Sequence, residues 1–113
     1  MGRWGEALAA LYLQGLGYQV LARNLRNRLG ELDLVALDGE ILVFVEVRTR
    51  RGGPAGTPEE SVDRAKQARL QRLASAFRAR HPLHRSRPAR IDVIALRLHR
   101  EGLTLRHLRN VTG

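Results

Sequence analysis

The chain contains no cysteine. Disulfides, thiolate nucleophiles and thiolate metal ligands are therefore excluded, and any chemistry falls to oxygen and nitrogen groups. Aromatic residues are scarce: two Phe, two Tyr and one Trp leave little from which to build the stacking platforms of single-strand readers. No apolar stretch reaches the roughly 18 residues that a membrane span needs, and no signal-peptide pattern is visible. The expectation is a soluble, cytoplasmic protein with no membrane partner. Acids are the minority charge, 11 against 20 Lys and Arg, and lysine is nearly missing, since Lys66 stands alone beside nineteen arginines.

What is present is positive charge and a localised patch of acid. A net charge of +9 points to a polyanion, because phosphate neutralisation by basic side chains supplies most non-specific nucleic-acid affinity. The basic residues are scattered, with no amphipathic helix pairing a basic face with bulky apolar residues, which favours nucleic acid over an anionic membrane surface. Five of the eleven acids fall between Glu31 and Glu46. An acidic pocket inside a basic surface suits a metal-dependent enzyme acting on phosphodiesters. With 113 residues, one domain spanning 1–113 is expected, burying about 65% of its unfolded surface.

The acids lie in alternating sequence. Asp38-Gly39 between apolar alternations predicts a hairpin with a two-residue type I′ turn, pairing Leu37 with Glu40. Glu31 then faces Glu46, Asp33 is a diagonal neighbour of Glu46, and Glu31, Asp33, Glu46 and Arg48 share one side of the sheet. Carboxylates this close repel unless a cation intervenes, and Mg²⁺, a hard ion content with one or two carboxylates, suits a site without Cys or His. The plainer alternative is a solvated face on which Arg48 neutralises Glu46.

Around the hairpin, Trp4 to about Leu16 reads as a helix with an apolar stripe of Trp4, Leu8, Leu11 and Tyr12, further apolar residues round its other side, and Glu6 among small residues. Composition alone would leave Glu6 at the surface. Tyr18–Ala22 reads as a short strand, followed by a basic connection in which Arg26 and Arg28 are candidates for phosphate contact. Residues 50–56 read as a mobile loop carrying Arg50 and Arg51. A second helix is predicted from an N-cap at Thr57, with Pro58 and Glu60 completing the start, to about Arg80, with Val62, Leu70, Leu73 and Phe77 as its core stripe. Lys66 projects within that stripe. A loop bearing Arg85 and Arg87, a strand from Arg90 to Leu98 with a structural Asp92, and a last strand from Leu103 to about Val111 complete the chain. The four histidines show no ligand spacing.

Gly5-Glu6, Asn24 with Arg26, Gly30-Glu31-Leu32-Asp33-Leu34-Val35, Phe44-Val45-Glu46-Val47-Arg48-Thr49-Arg50 and the helix containing Lys66 together resemble the YraN family of predicted endonucleases. That family is similar to archaeal Holliday-junction resolvases within the PD-(D/E)xK restriction-endonuclease-like superfamily. The resemblance covers nearly the whole chain. It implies an α/β fold, a mixed central sheet flanked by helices in the order α-β-β-β-α-β-β. It also implies a Mg²⁺- or Mn²⁺-dependent endonuclease acting on DNA, with branched or flapped structures as candidate substrates, and a homodimer. The metal ligands would be Asp33, Glu46 and the backbone carbonyl of Val47, with Glu6 as the acid from the first helix and Glu31 as an additional acid. Arg48 stands where the superfamily has lysine. Arginine stays protonated and cannot act as a general base, which leaves three outcomes: Arg48 acts electrostatically, Lys66 supplies the amine from the second helix, or hydrolysis is lost. The third is the rival class, a non-catalytic nucleic-acid-binding module with a degenerate site. Arg50, Arg51, Arg85 and Arg87 are the expected phosphate contacts.

Overall fold

A computed structural model describes residues 4–52 and 63–111. Helix α1 (Trp4–Gly15) leads into strands β1 (Gln19–Asn27), β2 (Gly30–Asp38) and β3 (Ile41–Arg51), then α2 (Arg64–Arg80), a 3-10 turn (Pro82–His84), β4 (Ala89–Leu98) and β5 (Leu103–Leu108). The strands form a single mixed sheet in the order β1-β2-β3-β4-β5. β3 and β4 run parallel and the other neighbours antiparallel. A parallel pair needs a long crossover, and α2 lies within it. The α-β-β-β-α-β-β order is the expected one.

Consecutive apolar residues, whose side chains point alternately to opposite faces, build a two-sided core. Leu34, Ala36, Val43, Val45, Ile94 and Leu96 pack with Ala9, Ala10 and Leu13 of α1. Val35, Leu37, Leu42, Phe44 and Ile91 pack with Leu70, Leu73 and Phe77 of α2. The central strands are thus buried on both faces, which accounts for their near-continuous apolar runs. Among the described residues, no helix is long and apolar enough to cross a membrane.

Several local expectations shift. The hairpin pairs Asp38 with Ile41 and Leu37 with Leu42, two positions from the predicted register. Gly39 (φ +59°) takes the first central position of the turn, and Glu40 is not among the residues with positive φ, the pattern of a type II′ rather than a type I′ turn. In α1 the buried face is Gly5, Ala9, Ala10 and Leu13, while Leu11 of the predicted stripe is 65% exposed. Small residues win that face because the helix sits close on the sheet: a Cβ at Gly5 would collide with Thr49 Cγ2.

β1 continues through the basic segment to Asn27, since arginines on an edge strand can point outward without interrupting the ladder. Arg50 and Arg51 end β3 rather than opening a loop. α2 is capped by Asp63, whose side chain accepts from Lys66 N–H at 2.8 Å. Thr57, Pro58, Glu60 and Val62 lie outside the described residues. β5 stops at Leu108.

Candidate metal centre

The antiparallel pairing of β2 with β3 ends at Leu34 and Val45. Beyond it, Val47 N–H donates to the carboxylate of Asp33 (Oδ2, 2.7 Å) instead of to a ladder carbonyl. Inward and outward positions on β2 also slip at this point. Leu32 packs with the α2-side core although Leu34 and Ala36 belong to the α1 side. The corrected hairpin register would place Asp33 opposite Glu46 if carried one step further. The acids therefore meet where two central strands part.

The structure divides the predicted acids into two groups. Carboxylate oxygens of Glu6, Glu31 and Asp33 lie within 4.8 Å of one another, an arrangement that could hold a metal ion. This brings Glu6 in from α1, and the close seat of Gly5 against Thr49 allows that approach. Glu46, 8% exposed, is outside that trio. Its Oε2 lies 2.6 Å from Lys66 Nζ and 3.3 Å from Arg48 Nη2, forming ion pairs with both. Glu31 and Asp33 of β2 thus meet Glu6 of α1, while Glu46 and Arg48 of β3 meet Lys66 of α2, and among the neighbouring acids Glu46 acts most strongly on Asp33. Lys66 does reach across from its helix, as its place in the Leu70, Leu73 and Phe77 stripe suggested.

Electrostatics mark Asp33 as the joint between the groups. Burial pushes its carboxyl up to about 6, the Val47 N–H acts in the opposite direction, and the charges of Glu46, Glu6 and Glu31 raise it further. Such a carboxylate is short of positive charge. Glu6 Oε2, Asn24 Oδ1 and Arg69 Nε are buried without a hydrogen-bond partner, whereas buried polar groups are nearly always paired. Arg69 was not singled out by the sequence. It follows Lys66 by one helical turn, and its stem lies across Gly30. The i, i+3 spacing from Lys66 was the available signal.

The predicted phosphate contacts separate. Arg48, Arg50 and Lys66 line one shallow cleft with Glu46 and Val47. Arg26 pairs with Glu31 at 3.6 Å, and Arg28 is exposed in the turn after β1. Arg51 is exposed at the end of β3. Arg85 and Arg87 lie at the other end of the sheet. Arg87 is engaged by Glu40 at 2.7 Å, and Glu46 lies six positions beyond Glu40 along the chain, about 20 Å away.

A second polar cluster escaped the sequence reading. Asp92, fully buried, accepts from Arg90 Nε (3.0 Å), His107 Nε2 (2.8 Å) and Asn110 N–H (2.9 Å). Tyr12 closes the chain on His107 Nδ1 at 3.0 Å. Arg90 also reaches Asp38 and Tyr18. Asp92 is structural, as expected, but no local pattern announced His107.

The chain belongs to the UPF0102 family: the family model described as "Uncharacterised protein family UPF0102" matches residues 5–96. A UPF0102 protein of Roseiflexus castenholzii is 53% identical over 96 residues, covering 85% of this chain and 77% of the relative. One from Beutenbergia cavernae is 49% identical over 112 residues, covering 98% of this chain and 94% of the relative.

Proposed function

We propose that this UPF0102 protein is a metal-dependent endonuclease that hydrolyses phosphodiester bonds of DNA. The observation that carries the reading is the convergence of Glu6, Glu31 and Asp33 oxygens beside the Lys66, Arg48 and Glu46 cluster. The donor set fits Mg²⁺ or Mn²⁺: every side-chain ligand is a hard oxygen, and the buried Glu6 Oε2 has no hydrogen-bond partner. Asp33 would be the central ligand, with Glu6 and Glu31 beside it. Glu46 and the Val47 carbonyl are further candidate ligands on β3. When bound, the ion would supply charge neutralisation at the scissile phosphate and a lowered pKa for an attacking water.

The chain's own residues supply the rest. Arg48, permanently charged, stabilises negative charge developing on the phosphate oxygens. Lys66 Nζ, already beside Glu46, orients the attacking water as the amine that position 48 lacks. Arg50 and Arg51 extend the positive rim along the backbone of the nucleic acid. Branched or flapped DNA is the favoured substrate class, and a homodimer would present two sites to two strands.

A second reading draws on a specific observation. With both Lys66 and Arg48 on one Glu46 oxygen, the cluster is also what a nucleic-acid-binding module with a retired site would keep. Linear, flapped and four-way DNA incubated with and without Mg²⁺ or Mn²⁺ separates the two. The enzyme reading expects cation-dependent cleavage that disappears in Asp33→Ala while salt-sensitive binding persists. Binding without cleavage on every substrate would favour the module.

A further inference from the structure

β1 is irregular next to the acid trio. Its register slips between Val20 and Ala22, and between the pairs Arg23↔Leu34 and Leu25↔Leu32 stands Asn24, which the count across the ladder sets opposite Asp33. Asn24 has φ +54°. Asparagine tolerates that conformation partly because its short polar side chain can bond locally to the backbone. Here the side-chain oxygen is not used in that way: Asn24 Oδ1 is buried and has no hydrogen-bond partner.

The residue opposite cannot supply a bond from its ionised form, because a carboxylate is only an acceptor. Glu6, a member of the neighbouring trio, likewise has a buried and unpartnered oxygen, Oε2. An unpartnered acceptor at the ladder position opposite Asp33, on the strand beside a trio that holds another, is of the kind a cation or its water shell satisfies, and an amide carbonyl is a regular oxygen ligand for hard divalent ions. We propose that Asn24 Oδ1 is an additional ligand, direct or through one water, of the divalent cation held by Asp33, Glu6 and Glu31. The inference rests on the metal-site reading above and extends the donor set to β1.

The test uses the full chain and Mn²⁺ alone, with binding followed by electron paramagnetic resonance and calorimetry and folding checked by circular dichroism in EDTA. Asn24→Gly keeps the left-handed backbone accessible while removing the oxygen. It should weaken Mn²⁺ binding about tenfold or more. Asn24→Asp keeps an oxygen in place and should bind Mn²⁺ at least as tightly as the native chain. Native-like affinity in Asn24→Gly would reduce Asn24 to a backbone device and overturn the inference while leaving the metal site intact. Should the glycine variant not fold, weakened binding in Asn24→Asp overturns it equally. A native chain that binds no Mn²⁺ would defeat both the inference and the metal-site reading beneath it.

Discussion

Asp33 and Asp92 are the same residue type in one sheet, and they are held in opposite ways. Burial opposes the charge of Asp92, but hydrogen bonds from His107, Arg90 and the Asn110 N–H, with the charge of Arg90, outweigh it and lower its pKa. Asp33 receives the single Val47 N–H, is surrounded by acids, and is raised to about 6. One carboxylate is complete within the fold. The other lacks positive charge at the point where two central strands part, a deficit that the proposed metal would fill.

The contrast is broken most severely from the Asp92 side. Asp92→Ala leaves Arg90, 14% exposed at its side chain, without its principal partner and should cost about 3 kcal/mol or more in urea unfolding. A loss below about 1 kcal/mol would show that the network contributes little. Next comes the cation pair on Glu46. If Lys66 supplies the amine, Lys66→Arg should lower cleavage about 100-fold, whereas Arg48→Lys should retain activity and Arg48→Ala should lose part of it. Unchanged cleavage in Lys66→Arg would return the role to Arg48.

Gly5→Ala probes how α1 delivers Glu6. The added methyl meets Thr49, so overpacking of about 2 kcal/mol and weaker Mn²⁺ binding are expected together, measured by thermal unfolding and calorimetry. The smallest effect belongs to Asp33→Asn without metal. Asp33 binds its proton more tightly folded than unfolded, so its contribution favours the native state as pH falls through about 6 toward 3.8 and is lost as pH rises. The asparagine variant should therefore be more stable than the native chain near pH 8, by about 1 kcal/mol once solvent screening of this partly exposed group is allowed for, with the gain shrinking toward pH 4. Melting temperatures in EDTA across that range test it.

Much of this arrangement was legible in the sequence. The apolar alternation of β2 and β3 marked two strands, and Leu70, Leu73 and Phe77 marked the buried face of α2 and placed Lys66 on it. Hairpin register was misplaced because Asp38-Gly39 suits a type I′ turn as readily as Gly39-Glu40 suits type II′, and only packing of the finished sheet chooses between them. Glu6 was ambiguous from composition because its partners are 25 and 27 positions downstream, at Glu31 and Asp33. The division of the acids depended on the slip in β2, which strict alternation cannot foresee. His107 was invisible because Tyr12 is 95 residues away and Asp92 is across a strand pair.

The most direct measurement is anomalous scattering from Mn²⁺-soaked crystals of the native chain beside Asp33→Ala. A manganese peak bonded to the Asp33 carboxylate in the first and absent from the second is the predicted result. No peak at Asp33 under saturating Mn²⁺, with an oligonucleotide present, would contradict the account.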